Sequence, residues 1–302
     1  MNKPTGAVLV TGASSGMGKA CALLLSQAGY TVFAGVRKER DAQMLTQAGS
    51  SRLIPVILDV TDENTIAEAY RTIHETVGDA GLVGLVNNAG VGVTAPIELV
   101  PLDELRRQFE INVIGQVAVT QAFLPLIRAA RGRIINVGSV GGKITLPFGG
   151  PLCSSKYAIE SINDALRMEL RPWGIHVALV APGSIHTPAV DKLVTDSEAM
   201  VSAFSPEGKA RYAATYRAFV QAFLKLEEEG VSPDVMAQTV YHALTARAPK
   251  ARYPVGPKSR LLAFLGVWLP AGALDIVRTR MFQVYQPFDS VVSERLPALA
   301  HR

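Results

Sequence analysis

Residues 7–18 read AVLVTGASSGMG, and this stretch decides the fold of the chain. A four-residue apolar run, typical of a short buried strand, leads into a turn with three glycines, and residues 19–28 continue with a helical pattern. Glycines let the backbone turn sharply and approach a bound group, while the free N–H groups at a helix start attract an anion. The order strand, turn, helix therefore predicts a phosphate-binding turn. A glycine-rich turn without a ligand is the alternative, because the spacing GxxxGxG differs from the common GxGxxG.

Outward from this turn, short apolar runs alternate with helical segments. Strands are predicted at residues 31–36, 52–58, 82–86, 133–137 and 175–180, and helices at residues 61–77, 102–130 and 153–171. Buried runs separated by helices indicate repeated βαβ units and a parallel sheet covered on both faces. The expected fold class is α/β, with a single doubly wound parallel-sheet (Rossmann) domain.

The pattern changes at Pro188, which divides the expected domain into regions. Residues 1–258 are assigned to the sheet domain, including a helical substrate-covering segment at about 188–230, and residues 259–302 to an apolar and basic C-terminal extension. Residues 195–205 show no clear period, and a helix is predicted from Pro206 to about residue 229. Ser232 and Pro233 suit the cap and first position of a further helix to residue 246. A last strand is predicted at residues 252–255.

Composition and charge exclude several classes of protein. Of 302 residues 48% are hydrophobic, and 30 Lys and Arg against 26 Asp and Glu give a net charge of +4 without a massed basic patch. This argues against a disordered chain and against nucleic-acid binding. Neither the two cysteines nor the five histidines have metal-ligand or disulfide spacing: Cys21, Cys153, His74, His176, His186, His242 and His301.

Two apolar runs near the ends of the chain are too short for an export signal or a membrane span. Val8–Val10 ends at the glycine turn, and Leu261–Leu269, stopped by Pro270, is about half of the roughly 20 residues that a span requires. We therefore expect a cytoplasmic protein. Contact of the C-terminal tail with a membrane surface is the less favoured alternative.

Further motifs carry a resemblance to a known family. After the turn come LDV at 58–60, NNAG at 87–90, Asn112 within INV, Ser139, Lys156, and Pro182-Gly183 with Thr187. In this order they resemble the classical short-chain dehydrogenases/reductases, over residues 5–190. The steroid and retinol dehydrogenase branch is the most similar, including RAARGR at 128–133.

The resemblance implies a nicotinamide cofactor and its contacts. Residues of the glycine turn would border the diphosphate, residues 59–60 the adenine, residues 88–90 the ribose side, and residues 182–187 the nicotinamide. The implied cofactor-binding residues are Gly12, Ser14, Ser15, Gly16, Met17, Gly18, Asp59, Val60, Asn88, Ala89, Gly90, Lys156, Pro182, Gly183, Ile185 and Thr187.

The end of the second strand bears on the choice of cofactor. An NAD enzyme places an acid there to bind the ribose hydroxyls, whereas this chain has Arg37 and Lys38 after Val36. A guanidinium can grip a 2′-phosphate bidentately. NADP(H) is therefore favoured. Because Ser15 adds no second positive charge, NAD(H) and an Arg37 that is merely solvated stay open as alternatives.

The implied catalytic residues are Asn112, Ser139 and Lys156, but the tyrosine of the family is missing. Counting four back from Lys156 and 13 on from Ser139 both lead to Leu152. Lysine at i+4 shares a helix face with the tyrosine and lowers the pKa of its phenol, so that the phenol can exchange a proton with the substrate oxygen. Tyr157 lies five residues on, about 140° round the helix, and is interpreted as a packing residue.

Two explanations of the gap stay open, with a mere interaction protein as a third class. The chain is either a dehydrogenase scaffold carrying one substitution, with impaired carbonyl and alcohol chemistry, or a cofactor-binding protein or reductase of C=N or C=C bonds that needs no phenol. The retained Lys156 favours the first.

Apolar residues around the gap indicate a hydrophobic substrate, steroid-like or retinoid-like. Aromatic residues at helical spacing after residue 210 form either a lid or plain core. The candidate substrate contacts are Ser139, Leu146, Phe148, Leu152, His186, Tyr216, Phe219 and Phe223, the histidine being more typically solvated. The resemblance also implies a homodimer or homotetramer built on the helices at 112–130 and 153–171.

Overall fold

Seven parallel strands form one sheet in the order β3-β2-β1-β4-β5-β6-β7. They are β1 (Ala7–Val10), β2 (Thr31–Val36), β3 (Leu53–Ile57), β4 (Leu82–Asn87), β5 (Arg133–Val137), β6 (His176–Pro182) and β7 (Arg252–Val255). This computed structural model describes residues 5–282 and residue 284. The strand order reverses between β1 and β4, the place where doubly wound sheets bind ligands. The predicted fold class is confirmed.

Alternating residues of the central strand supply two cores, one on each face of the sheet. Val8 and Val10 join the cluster beneath α1 (Gly16–Ala28) and α9 (Pro233–Thr245), whereas Leu9 joins the opposite cluster. Successive strand side chains point to opposite faces. A strand buried on both sides therefore needs an unbroken apolar run, which is why β1 is recognisable from sequence.

The remaining helices cover the sheet and its C-terminal edge. They are α2 (Glu39–Ala48), α3 (Glu63–Val77), α4 (Leu102–Phe109), α5 (Gly115–Ala130), α6 (Gly150–Glu169), α7 (Pro188–Ser202), α8 (Pro206–Glu228), α10 (Ser259–Trp268) and α11 (Ala271–Phe282).

Several predicted boundaries were wrong. Helix α1 begins at Gly16, inside the predicted turn, and α6 begins at Gly150 rather than Cys153, with Pro151 in its first turn. Proline is accepted there because the first N–H groups of a helix have no intrahelical partner. Helices α2 and α7 were missed. Helix α2 was missed because of its polarity, since Leu45 is its one fully buried residue.

The predicted helix at 102–130 is interrupted by a π turn, Glu110–Ile114. Within the described residues, Leu102–Ala130 is the one stretch long and apolar enough to cross a membrane by length and composition. Val119, Phe123 and Ile127 are fully buried against the sheet. A core helix of this kind passes the same test, so the stretch is explained by packing.

The described part of the C-terminal extension is helical rather than featureless. Phe282 of α11 packs against Phe219 of α8, with ring centroids 5.3 Å apart. The extension therefore packs against α8, which lies in the segment predicted to cover the substrate. Helix α10 exposes Phe264 and Trp268, whose side chains are 58% and 72% accessible. Residues 283 and 285–302 of the predicted extension, including His301, lie outside the described residues.

An ion-pair cluster joins the edge strand to α6, and its loss should destabilise the fold. Arg252 donates to Glu160 and Asp164 at 2.7 Å each, and the Glu160 side chain is 5% exposed. Arg252→Ala should cost about 2–3 kcal/mol of unfolding free energy, because a buried carboxylate loses a charged donor. Arg71→Ala, which removes an exposed pair, is the control and should cost less than about 0.5 kcal/mol. Denaturant unfolding measures both, and equal losses would contradict the assignment.

Candidate functional site

A cleft of about 230 Å³ opens where the carboxyl ends of β1, β2 and β4 meet. It brings together most of the residues predicted from the turn and the two motifs that follow. The predicted residues that line it are Gly12, Ser14, Ser15, Gly16, Met17, Gly18, Arg37, Asp59, Val60, Asn88, Ala89, Gly90 and Thr187. Five further lining residues were not predicted as cofactor contacts: Gly35, Val36, Leu58, Val91 and Ile111. Leu58 and Ile111 belong to the LDV and INV motifs, whereas the other three only lie within two residues of predicted contacts.

The start of α1 presents its free N–H groups to this cleft. Ser15 is the N-cap residue, but its side chain makes no capping hydrogen bond, and the first turn contains no acid. The uncapped N–H groups and the helix dipole both favour an anion at this position. The local geometry thus suits a diphosphate.

Glycines allow the turn to lie directly on neighbouring backbone. A Cβ at Gly18 would stand 2.2 Å from the Gly12 carbonyl oxygen, and one at Gly12 would stand 2.8 Å from Ala89 Cα. Asn88 secures the same contact, because its Nδ2 donates to the carbonyls of Thr11 and Gly12 at 3.0 and 3.2 Å. The turn therefore has no room for further side chains at Gly12 and Gly18, which fits the close approach of a dinucleotide.

The end of β2 carries one of the two predicted basic residues into the cleft. Arg37 lines it, whereas Lys38 is the exposed N-cap residue of α2. Asp59, also at the cleft, accepts from the backbone and hydroxyl of Thr61 at 3.0 and 2.8 Å. The arrangement can accommodate a phosphate beside Arg37, and the preference for NADP(H) stays a prediction.

Lys156 is buried and does not line the cleft. Its Nζ donates to the Val137 carbonyl at 3.0 Å. Burial lowers the pKa of this ammonium from 10.5 to about 8. Desolvation disfavours the charged form, so Lys156 can gain or lose a proton close to neutral pH.

The π turn explains the position of Asn112. Its Oδ1 accepts from Val91 N–H at 2.8 Å, while Nδ2 donates to the Val91 carbonyl at 2.9 Å and to Ser155 Oγ at 3.1 Å. An extra residue in a helical turn re-aims a side chain, and such turns are frequent at functional sites. The turn thereby ties the loop after β4 to the helix that carries Lys156.

Ser139 and Leu152, the two ends of the predicted 13-residue spacing, do not line the cleft. Ser139 Oγ accepts from Gly141 N–H at 3.0 Å and donates to the Pro182 carbonyl at 3.3 Å. Leu152, in the first turn of α6, is partly exposed, and its Cδ2 lies 3.7 Å from the point a Cβ on Gly92 would occupy. An aliphatic side chain can neither donate nor accept a proton here.

The protic side chains near Leu152 do not replace the missing phenol. Ser155 Oγ donates to the Leu152 carbonyl at 2.8 Å and Ser154 Oγ to the Pro151 carbonyl at 2.9 Å. Burial raises the pKa of the Cys153 thiol. Tyr157 is 41% exposed and hydrogen-bonded to Thr145, and burial raises the pKa of its phenol.

The candidate substrate-covering aromatics form a packed cluster. Tyr216 and Phe219 are 1% and 0% exposed, and both rings lie within 5.6 Å, centroid to centroid, of Phe148. Tyr216 Oη also donates to the Thr94 carbonyl at 2.8 Å. Phe223 is partly buried beside Phe219, and Leu146 packs at the margin of the cluster. The burial of Tyr216 and Phe219 agrees with the alternative that these rings belong to the core. Their contact with a substrate stays a prediction.

The loop that was predicted to contact the nicotinamide, residues 182–187, is bound by the end of α8. Pro182 and Ile185 are buried, Gly183 is partly buried and His186 is exposed, and none of these lines the cleft. Ile185 N–H donates to Glu227 Oε2 at 3.2 Å. Glu227 was missed because it stands first in the sequence EEE at 227–229, which resembles a solvated charge run. Among the described residues no cluster of His, Cys, Asp or Glu could hold a metal ion.

Comparisons with known proteins show the family and the fold of this chain. The family description "short chain dehydrogenase" matches residues 6–198. The chain is 36% identical over 281 residues to retinol dehydrogenase 5 of Mus musculus, covering 90% of this chain and 87% of that protein. It is also 36% identical over 272 residues to the NADPH-dependent 3-dehydrocapnine reductase of Ornithobacterium rhinotracheale, covering 88% and 94%. A short-chain dehydrogenase structure from Streptomyces avermitilis matches with a TM-score of 0.71 at 26% identity, covering 97% of this chain and 99% of that one.

Proposed function

The chain belongs to the short-chain dehydrogenase family, in its retinol dehydrogenase-like branch, and on this premise we propose that it binds NADP(H) and acts on a hydrophobic alcohol or carbonyl compound. The cleft carries this proposal, because an uncapped helix start, a glycine cradle and Arg37 converge there. The name of the Ornithobacterium relative, an NADPH-dependent reductase, supports the cofactor.

The side chains divide the work of binding and orientation. The turn and the start of α1 would hold the diphosphate, Arg37 the 2′-phosphate, and Lys156 the nicotinamide ribose. When bound, the cofactor supplies or accepts hydride. Ser139 would orient the substrate oxygen, and Asn112 would hold the backbone around Val91 in place.

Leu152 limits this chemistry, because no phenol is available for proton transfer at that position. General acid–base catalysis is typically worth 10²–10⁴-fold. We therefore propose that carbonyl and alcohol turnover by this chain is slowed by at least that order. The second candidate, favoured by the same leucine, is a cofactor-binding protein or a reductase of activated C=N or C=C bonds. Turnover of an iminium or enone substrate by the unaltered chain, without turnover of ketones, would select the reductase.

A retinoid-like or steroid-like substrate is the finer proposal. The names of the retinol dehydrogenase relatives support it, together with the apolar residues Leu146, Phe148 and Leu152. His186 and Phe223 are the partly accessible candidates for its outer contacts.

Calorimetry with NADPH tests the proposed cofactor binding. The unaltered chain should bind one NADPH per protomer, and Gly18→Ala should weaken binding at least tenfold, or about 1.4 kcal/mol, because its Cβ collides with the cradle. Gly272→Ala is the control, since a Cβ at that exposed helical position meets nothing within 4 Å. Melting temperatures separate a binding defect from unfolding. Absence of NADPH and NADH binding to the unaltered chain would leave only the interaction-protein class.

Assembly and location extend the proposal. We infer a homodimer or homotetramer built on α5 and α6, in the cytoplasm, with the exposed face of α10 as the alternative point of membrane contact. Light scattering of the purified protein tests the first, since a monomer at micromolar concentration would contradict it. Cell fractionation tests the second, and recovery in the membrane fraction would contradict a cytoplasmic location.

A further inference from the structure

A short segment after α8 grips the loop that follows β6. Val231 N–H donates to the Ser184 carbonyl at 3.2 Å, and His186 N–H donates to the Val231 carbonyl at 3.0 Å, so that Ile185 and Val231 form an isolated parallel bridge. Gly230 makes this approach possible, because a Cβ there would stand 2.7 Å from the Ser184 carbonyl oxygen. The loop leads directly to Thr187, which lines the cofactor cleft.

The Glu227 carboxylate completes the grip. Its Oε2 accepts the Ile185 N–H at 3.2 Å, and the Ser184 side chain also hydrogen-bonds to it. Ser184, Ile185 and His186 are thus all held from the end of the substrate-covering helix. Since a hydrogen bond to an ionised acceptor is stronger than one to a neutral acceptor, the hold on Ile185 depends on the charge of Glu227.

We propose that Glu227 is a positioning residue whose ionised carboxylate holds residues 184–187 in the conformation that receives the cofactor. The inference rests on the proposed function, because it takes the cleft to be the cofactor site. The cofactor affinity then depends on the protonation of Glu227, which is 42 residues from Ile185 in the sequence.

Burial raises the pKa of Glu227 from 4.5 to about 7, with the hydrogen bonds from Ile185 and Ser184 opposing the rise. Ionisation of this group therefore disfavours the folded state. Its contribution to stability is full below the unfolded-state pKa and is lost as the pH rises through about 7. The ionisable residues on the adjoining segments are all exposed: Lys225 and Glu228 on α8, Glu229 just after it, His186 in the loop, and Lys258 after β7.

The test measures NADPH affinity from pH 6 to pH 8.5 for the unaltered chain, Glu227→Gln and Glu228→Gln. The measured quantity is the NADPH affinity of the unaltered chain divided by that of Glu227→Gln. This ratio should be at least threefold higher at pH 8 than at pH 6. Glu228→Gln, the same change at an exposed neighbour, should behave like the unaltered chain. Lys156 and the cofactor phosphate also titrate in this range, but they are shared by all three proteins and cancel in the comparison.

Thermal melting of the cofactor-free proteins provides the second readout. Glu227→Gln should melt at a higher temperature than the unaltered chain at pH 8.5 and at about the same temperature at pH 4. The inference would be overturned if the NADPH affinities of the unaltered chain and of Glu227→Gln changed in parallel with pH. It would also be overturned if the affinity of the unaltered chain fell relative to that of Glu227→Gln as the pH rises. Neither result touches the proposed function, which fails only if no nicotinamide nucleotide binds at any pH.

Discussion

Leu152→Tyr should raise the rate of NADPH-dependent carbonyl reduction by about 10²–10⁴-fold, the usual contribution of a positioned general acid. Position 152 is in the first turn of α6, four residues before Lys156, so both side chains share one face of the helix. Lys156 is already buried near the site. A phenol at position 152 would therefore stand beside a cation that favours its ionised form.

Oxidation of NADPH with a panel of retinoid, steroid and simpler hydrophobic ketones and aldehydes measures this effect. Leu152→Phe is the matched control, because it adds the ring without the hydroxyl and should leave the rate within about threefold of the unaltered chain. Equal rates for Leu152→Tyr and Leu152→Phe, with cofactor binding intact, would contradict the substituted-dehydrogenase account. The pseudoenzyme or the C=N and C=C reductase would then be the better description.

Arg37→Gln should weaken NADPH binding by about 10–100-fold and leave NADH binding within about twofold. Arg37 lines the cleft at the end of β2. A charge-assisted hydrogen bond to a phosphate contributes about 1.5–3 kcal/mol, and each 1.4 kcal/mol corresponds to about tenfold in affinity. The 2′-phosphate distinguishes the two nucleotides, so only NADPH should respond.

Arg40→Gln is the control for this comparison, since Arg40 is exposed on α2 and does not line the cleft. Calorimetric titrations at low and physiological salt measure both nucleotides. A guanidinium in contact with the phosphate predicts a salt-dependent loss for Arg37→Gln alone. Equal weakening of NADH and NADPH binding would instead assign Arg37 to the architecture of the turn.

The sequence was sufficient for the sheet and for much of the cofactor cleft. Residues 7–18 predicted a strand, a turn and a helix, because a strand buried on both faces requires an apolar run and a phosphate cradle requires glycines close to backbone. Both requirements act within a dozen residues. Spacing within the sequence also predicts that Leu152 stands where the family has its tyrosine.

Contacts between distant segments could not be predicted in this way. Glu227 reads as the start of a solvated charge run, and its role depends on the loop at Ser184 and Ile185 packing against it. Helix α2 was missed because most of its side chains are polar and only Leu45 is fully buried, and the π turn because the periodicity on both sides of it is helical.

By itself, then, the sequence determined the parallel α/β fold, the family and the turn that suits a dinucleotide, and it predicted that Leu152 occupies the position of the family's tyrosine. Those properties follow from short-range requirements of the backbone and of burial. The tertiary structure alone decided which side chains meet: Phe282 of the C-terminal extension behind Phe219, and Asn112 on Val91 and Ser155. It also decided that a carboxylate takes the Ile185 N–H, because packing brings together atoms that no local pattern relates.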